Sequence, residues 1–301
     1  MLILKKNILW LLFGLMAVSM PMLAQETAKP EKSAQPQVKE AVPAALLRKE
    51  YTQEKRFGFS YARGLKISMP PVGNISIEGW SKRELTIQAK IVVEAKTEAD
   101  LEILAQNTGF ALSTDAMTWV LASIGPQAKM DRKQKKEYDN QVPGRLQKIP
   151  YRIDYVLRVP DFTDLEIEQI QGDLSIGNVY GGLNFNIHAG KATLYGLGGV
   201  VVGRIANGEA LVVCGGSTWR GSGLNLQLGV GNIELRLPTP YAADLTLAAT
   251  QQLKIAYTIP PEEGEDLDAP FGNVLQKKLN GGGPSLLFST KLGQIQLVST
   301  N

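Results

Sequence analysis

The chain has 301 residues, of which 44% are hydrophobic, 20% are charged and 30 are glycine. This hydrophobic content is enough for a core and excludes a chain that is disordered throughout. Glycine is enriched above the roughly 7% that is usual in proteins, and its cost inside helices argues against a helical bundle. The net charge of +3 gives no strong field for nucleic acid, so we expect no nucleic-acid partner.

Residues 1–24 have the features of a secretory signal peptide. A positive region with Lys5 and Lys6 precedes an apolar run from Ile8 to Val18. Ala24 then offers a small residue at the expected cleavage point. The apolar run is shorter than the ~20 residues of a membrane-spanning helix. We therefore expect export to the periplasm or cell surface of a bacterium, with no integral membrane segment after cleavage.

Residues 25–50 mix Pro, Lys, Glu, Gln and Ala without hydrophobic periodicity. Pro30, Pro36 and Pro43 would interrupt any helix across this region. The composition therefore predicts a flexible linker. The folded domain is then expected to occupy residues 51–301.

A repeat of the form Gly-x-Φ-x-Φ, in which Φ is apolar, indicates the architecture of that domain. Its copies begin at Gly73, Gly172, Gly181, Gly190, Gly198, Gly208, Gly231 and Gly293. From Gly172 to Gly208 the spacings are 9, 9, 8 and 10 residues. Alternation places the Φ side chains on one face of a short strand, and a short fixed period is typical of solenoids.

The repeat predicts an all-β fold of stacked coils, in which two or three steps close one coil and neighbouring strands lie about 4.8 Å apart. The glycines would supply turns with positive φ or sites where backbones lie close together. A β-meander with two-residue hairpins is the alternative. That fold needs regular Asn-Gly or Asp-Gly turns, and only Asn207-Gly208 provides one.

Two segments interrupt the array. The first is an insertion at about 97–150, which starts with a capping-box-like sequence at Thr97 to Asp100 and apolar residues at helical spacing. It predicts one short peripheral helix over residues 98–107. The mixed charges of residues 129–140 predict a solvated loop. The second is an acidic loop at 260–284, whose carboxylates lack the spacing of a calcium-binding EF-hand.

The residues that usually carry chemistry are sparse. His188 is the only histidine and Cys214 the only cysteine, which excludes a histidine-rich zinc site and an intrachain disulfide. No Gly-x-Ser-x-Gly nucleophile elbow occurs. Cys214 follows an apolar run and is expected to be buried. We predict no catalytic, cofactor-binding or metal-binding residue and no cofactor.

A pair of carboxylates for glycoside hydrolysis stays open, because such partners meet only in the fold. The acidic residues of the array are expected instead to form a solvated outer face: Glu166, Glu168, Asp173 and Glu209. Three tryptophans are expected to serve packing, although an indole can stack on a sugar: Trp80, Trp119 and Trp219.

Three stretches together with the array resemble a known family. They are Met-Pro-Pro-Val-Gly-Asn-Ile-Ser-Ile-Glu-Gly-Trp at 69–80, Tyr-Val-Leu-Arg-Val-Pro at 155–160, and Gly-Asn-Ile-Glu-Leu-Arg-Leu-Pro at 231–238. They resemble the bacterial DUF4097 "putative adhesins" and the related head domain of "putative autotransporter adhesins", over most of residues 60–300. The resemblance implies a single-stranded, right-handed β-helix-like solenoid in an exported bacterial protein. It implies no catalytic residues.

These observations lead to three functional hypotheses. The first is a non-enzymatic envelope protein, an adhesin-like binding or scaffold module with a protein or cell-surface glycan as partner. Val201 and Leu211 are predicted to point outward in an apolar contact strip that the helix or the partner covers. The second hypothesis is a periplasmic sensor or accessory of envelope stress signalling. The third is a carbohydrate-active β-helix enzyme.

Overall fold

The structure is a computed structural model that describes residues 46–58, 63–68, 72–115, 117–126, 142–258 and 273–300. The predicted signal peptide and the predicted loop at 129–140 lie outside the described residues, as do residues 25–45 of the linker and 260–272 of the acidic loop. The described residues form eighteen strands and one helix. The predicted all-β class with one short helix is therefore confirmed.

The amino-terminal half contains nine strands and the helix among its described residues. They are β1 (Leu47–Gly58), β2 (Gly64–Ser68), β3 (Ile75–Trp80), β4 (Glu84–Ala95), α1 (Glu98–Gln106), β5 (Gly109–Asp115), β6 (Thr118–Ile124), β7 (Tyr151–Pro160), β8 (Asp164–Gln171) and β9 (Leu174–Gly177). The carboxyl-terminal half contains nine strands and no helix among its described residues. Its strands are β10 (Leu183–Tyr195), β11 (Gly198–Val213), β12 (Arg220–Val230), β13 (Ile233–Pro238), β14 (Ala243–Ala249), β15 (Gln252–Ala256), β16 (Val274–Leu279), β17 (Ser285–Leu292) and β18 (Gln294–Thr300).

Helix α1 begins and ends within one residue of its prediction, which is confirmed. The hydroxyl of its N-cap, Thr97, accepts a hydrogen bond from the backbone N–H of Asp100 at 3.2 Å. The helix packs against β1 and β4. There the Tyr51 hydroxyl lies 2.8 Å from the carbonyl oxygens of both Ala105 and Thr108. The helix therefore does not cover the predicted strip on β11.

The strands pair in two ladders that share the long strands β10 and β11. The first ladder has the order β5-β6-β2-β8-β10-β11-β12-β17-β14-β16. The second ladder has the order β1-β4-β7-β3-β9-β10-β11-β13-β18-β15. Inward side chains of both ladders belong to one cluster of buried residues. The core therefore lies between the ladders, and each ladder has an outer side that faces solvent.

The central strands pair in parallel with a constant offset of 18 residues. Leu165, Leu183 and Val201 are neighbours in the first ladder. Leu174, Ala192 and Ala210 are neighbours in the second. An offset of 18 equals two nine-residue steps of the repeat, one for each ladder. This parallel pairing contradicts the hairpin alternative, since Gly208 lies inside β11 and not in a two-residue turn.

The sheet is open and mixed, which departs from a uniform stack of coils. Four pairs are antiparallel: β1–β4, β4–β7, β5–β6 and β14–β16. In addition, β17 lies between β12 and β14, and β18 lies between β13 and β15. In the same way, β2 and β3 lie between strands that follow them in the chain. Stacking in chain order therefore holds only from β8 to β13.

Three expected segments have different boundaries in the structure. β1 begins at Leu47, so residues 47–50 of the predicted linker belong to a strand. The insertion at 97–150 supplies β5 and β6, and β6 pairs with β2. Strand β16 lies within the predicted acidic loop at 260–284 and pairs with β14. The described parts of both insertions thus extend the ladders and do not lie outside the array.

Glycines stack on one another where the chain passes from the first ladder to the second. In this stack, Gly190 lies between Gly172 and Gly208, in neighbouring turns of the chain. A Cβ atom on Gly190 would overlap the carbonyl oxygen of Gly172, and one on Gly208 would overlap that of Gly190. A second stack at the opposite bend contains Gly181, Gly199 and Gly221. Successive nine-residue steps therefore end at alternate bends. The overlaps confirm the prediction that the repeat glycines allow the backbones to lie close together.

The prediction that Cys214 is buried is confirmed, since only 5% of the residue is exposed. Burial raises the pKa of its thiol to about 12. No helix in the described residues is long and apolar enough to cross a membrane.

We expect the free energy of unfolding to fall as the pH rises above about 9. The thiol has its ordinary pKa of 9.0 in the unfolded chain and one of about 12 in the folded chain, so between these values the unfolded state binds fewer protons. This single group lowers the free energy of unfolding by up to about 1.4 kcal/mol per pH unit. Urea unfolding at pH 8, 9 and 10 measures the slope. The slope for Cys214→Ala should be less steep. Burial also raises the pKa of Tyr241, and Cys214 adds to that rise, so the substitution removes the contribution of the thiol and reduces that of Tyr241. Equal slopes would contradict the prediction.

Candidate functional site

The two residues of the predicted contact strip lie on opposite sides of the sheet. Val201 is buried, with 1% exposure, and faces the core, so the prediction that it points outward is wrong. Leu211 is half-buried and lies between the buried residues Ala210 and Val212, on the outer side of the second ladder. Val200, with 50% exposure, is the outward neighbour of Val201.

The error at Val201 is a register shift of one residue. The predicted copy of the repeat begins at Gly198, whereas in the structure Gly199 stacks on Gly181 and has a φ of +69°. With Gly199 in its place, the spacing from Gly172 to Gly208 is nine residues at every step. Since strand side chains alternate, a shift of one residue exchanges the two faces. The bend at Gly208 restores the predicted phase, so Leu211 is outward as expected.

The array carboxylates lie at the solvent, as predicted. The four are exposed on the outer sides of the ladders: Glu166, Glu168, Asp173 and Glu209. Lys66 Nζ lies 2.5 Å from a carboxylate oxygen of Glu166, and this hydrogen bond raises the pKa of Lys66. His188 is exposed where β10 bends between the ladders. The four carboxylates and His188 are therefore part of a solvated surface.

The three tryptophans have different surroundings. Trp219 is buried, and its indole N–H donates to the carbonyl of Gly199 at 3.0 Å. Trp119 packs with its ring centroid 5.6 Å from that of Phe57. Both therefore serve packing, as predicted. Trp80 is half-buried at the end of β3, where it borders a groove together with side chains of β1, β4 and β7.

Leu211 lies in a groove of about 420 Å³ on the outer side of the second ladder. The groove crosses β10, β11, β13, β18 and β15, and we name it the Leu211 groove. Its outward polar side chains are Lys191, Glu209, Asn232, Glu234, Arg236, Lys254, Gln294 and Gln296. Because the strands are in register, these side chains form two cross-strand rows. One row contains Lys191, Glu209, Asn232 and Gln294, and the next contains Leu211, Glu234, Gln296 and Lys254.

Charges in the Leu211 groove are partly paired. Both Nε and Nη2 of Arg236 lie 2.7 Å from Oε1 of Glu234. Lys191 Nζ lies 3.9 Å from Oε2 of Glu209. The side-chain amides of Gln294 and Gln296 and the ammonium of Lys254 have no partner among the described residues. The groove therefore presents free donors and acceptors beside an apolar side chain.

The arrangement of the Leu211 groove can bind a ligand through hydrogen bonds and an apolar contact. Amide and ammonium groups in rows can donate to and accept from a hydroxyl-rich ligand, and Leu211 offers an apolar contact. In the part of the chain that the structure describes, no group of three or more His, Cys, Asp or Glu side chains could hold a metal ion.

Sequence reasoning missed most of the Leu211 groove, although the repeat contained its signal. Asn232 and Gln294 occupy the second position of the repeat, directly after Gly231 and Gly293. Glu234 and Gln296 occupy the fourth position. Both positions point outward, so stacking the copies in register would have placed these side chains together. The order of the strands was needed as well, because β18 lies beside β13 only in the folded chain.

Six chains of solved structures match this chain, and three of them illustrate the low similarity. A "putative cell adhesion protein" from Clostridium sporogenes has 14% identity and a TM-score of 0.43, covering 84% of this chain and 100% of its own. A "putative adhesin" from Bacteroides fragilis has 11% identity and a TM-score of 0.33, covering 82% and 97%. A "putative lipid binding protein" from Parabacteroides distasonis has 9% identity and a TM-score of 0.23, covering 82% and 96%.

These TM-scores are too low to support an inference about function. No family model matches the chain, and no curated protein matches it. The resemblance to the DUF4097 family therefore stays a prediction from the quoted stretches.

Proposed function

We propose that this protein is an exported, non-enzymatic, adhesin-like binding module of the bacterial envelope, which recognises a cell-surface glycan through the Leu211 groove. Its array is proposed to be a single-stranded, right-handed β-helix-like solenoid. The constant 18-residue offset of the parallel strands supports the solenoid. The handedness is supported by the strong preference of parallel crossovers for a right-handed path.

The observation that carries the proposal is the outer side of the second ladder. Ten strands at spacings of about 4.8 Å give a surface about 43 Å long. The Leu211 groove interrupts this surface with amides and a lysine that have no protein partner among the described residues. A glycan offers hydroxyl groups for these side chains and a C–H face for Leu211. A long, regular surface is better suited to an extended ligand than to a small substrate enclosed in a cleft.

Protease treatment of intact cells tests where the protein lies. We expect cleavage of this chain while a periplasmic control protein stays intact, because adhesion requires access from outside the cell. Full protection until the outer membrane is permeabilised would contradict a role in adhesion.

A glycan array tests the Leu211 groove with the purified chain. We expect Leu211→Asp and Gln296→Ala to weaken retention on the bound glycan at least tenfold, because the first places a charge in the groove and the second removes a free amide. The matched control is Leu287→Asp, which changes a half-buried, outward leucine on the first ladder. Equal losses of retention in both Leu→Asp variants would contradict the site. It would also be contradicted if the purified chain bound an immobilised protein and no glycan.

A further inference from the structure

A second groove of about 280 Å³ lies on the outer side of the same ladder, near its amino-terminal end. It is bordered by β1, β4, β7 and the end of β3, and we name it the Trp80 groove. The side chains that matter for its chemistry are Arg56, Trp80, Lys82, Thr86, Val156 and Arg158. Val201 and Leu211, the two predicted contact residues, do not line this groove.

Two arginines flank a threonine across the strands of the Trp80 groove. Thr86 pairs with Arg56 on one side and with Arg158 on the other. Side chains at such positions have Cβ atoms about 5 Å apart, so one positive charge lies on each side of the Thr86 hydroxyl. In the described ranges, no carboxylate lies within 4 Å of either guanidinium or of Lys82. Like charges in one row are unfavourable unless an anion joins them.

The carboxylate that lies beside Arg158 is engaged elsewhere. Glu78 is the register partner of Arg158. However, its Oε2 accepts a hydrogen bond from the Tyr195 hydroxyl at 2.7 Å, and its Oε1 accepts one from the Asn178 amide at 2.5 Å. The bond to Glu78 also raises the pKa of Tyr195. Arg158 is thus left without the ion pair that its register would allow.

Trp80 positions the cations of the groove. Its indole N–H donates to the carbonyl of Glu84 at 2.8 Å, which fixes the ring. The Lys82 ammonium lies 5.0 Å from the ring centroid and the Arg158 guanidinium 5.7 Å from it. Both distances are within the range of cation–π attraction. The ring therefore holds two cations in place without neutralising either.

We propose that the Trp80 groove binds a carboxylate-bearing sugar of an acidic polysaccharide. Arg56 and Arg158 would pair with the sugar carboxylate, which suits the planar fork of a guanidinium. Thr86 can bond a ring hydroxyl, and Val156, which is 49% exposed, offers a contact for the C–H face. Two carboxylates on the rim can accept hydrogen bonds from further hydroxyl groups of the sugar: Glu54, which also accepts a hydrogen bond from the Gln88 amide at 2.7 Å, and Glu84. The inference rests on the proposed binding role, and it adds the charge of the ligand.

Calorimetric titration of the purified chain tests the proposal with hexagalacturonate and a hyaluronan hexasaccharide as probes. We expect at least one of these uronate sugars to bind, and raised salt to weaken it. For hexagalacturonate, the fully methyl-esterified form is a neutral match and should bind at least tenfold more weakly. Arg158→Gln and Arg56→Gln should each weaken binding at least tenfold. Arg158→Lys should weaken binding less, because the lysine keeps the positive charge.

The control for charge is Arg204→Gln, which removes an exposed arginine from the outer side of the first ladder and should change binding less than twofold. The proposal is overturned if neither uronate binds or if the methyl ester binds as tightly as hexagalacturonate. It is overturned as well if Arg204→Gln weakens binding as much as Arg158→Gln does. It is also overturned if inorganic phosphate binds as tightly, since the groove would then recognise a bare anion. These outcomes are independent of the protease and Leu211 experiments, so either proposal can fail without the other.

Discussion

Gly190→Ala is expected to destabilise the protein by about 3 kcal/mol or more, for two reasons that act together. Gly190 has a φ of +151°, and holding a non-glycine residue in such a conformation costs roughly 1–3 kcal/mol. The added Cβ would also overlap the carbonyl oxygen of Gly172, and overpacking adds about 1–3 kcal/mol. The loss is large against the roughly 5–15 kcal/mol that stabilises a typical domain.

A matched substitution separates these effects from the general consequences of replacing glycine. At Gly215, an added Cβ has no atom within 4 Å, and φ is not in the left-handed region. Gly215→Ala is therefore expected to be neutral, or to stabilise by up to about 1 kcal/mol through the unfolded chain. Urea unfolding monitored by far-UV circular dichroism measures both variants. A Gly190→Ala variant as stable as Gly215→Ala would contradict the stacked bend.

The glycine stacks also explain how much of the fold was predictable. Where the chain winds in order, from β8 to β13, each nine-residue step gives one strand and one bend. The repeat is visible there because every bend needs a glycine with close backbone contact. The all-β class, the nine-residue step and α1 with its Thr97 cap are all local properties, and the sequence predicted them.

The order of the outer strands was not predictable from local patterns. Whether β18 pairs with β13, 62 residues away in register, depends on which edges remain open once the central strands have formed. The inserted strands β5, β6 and β16 carry no repeat glycine that would have identified them. Only the burial pattern of β16 alternates along the whole strand, and alternation predicts a strand without identifying its neighbour.

The two grooves show the same limit at the level of the site. Leu211 was predicted from its own position, because a single outward apolar residue can be read from alternation. The cations of the Trp80 groove come from two strands, β1 and β7, and from the turn between β3 and β4. Their significance depends on Glu78 being engaged by Tyr195. No sequence pattern reports which of several possible partners a carboxylate takes. Identifying such a site therefore requires the strand register of the folded sheet.

Neighbouring valines on β11 provide the sharpest test of that register. Val201→Asp is expected to unfold the protein, with a loss above about 4 kcal/mol, because it removes a buried side chain and places a carboxylate in the core. Val201 is 1% exposed and lies between Leu183 and Leu224 in the first ladder. A carboxylate there would have apolar neighbours on both sides and no cation to pair with it.

Val200→Asp is the matched control, since it makes the same change one residue earlier in the same strand. Val200 is 50% exposed on the outer side, and its register partner on β12 is Gly223, so the new carboxylate stays in water. We expect a change of about 0.5 kcal/mol. Urea unfolding at neutral pH compares the two variants directly. If Val200→Asp were the damaging substitution, β11 would be shifted by one residue, and the start of the repeat would be Gly198 and not Gly199.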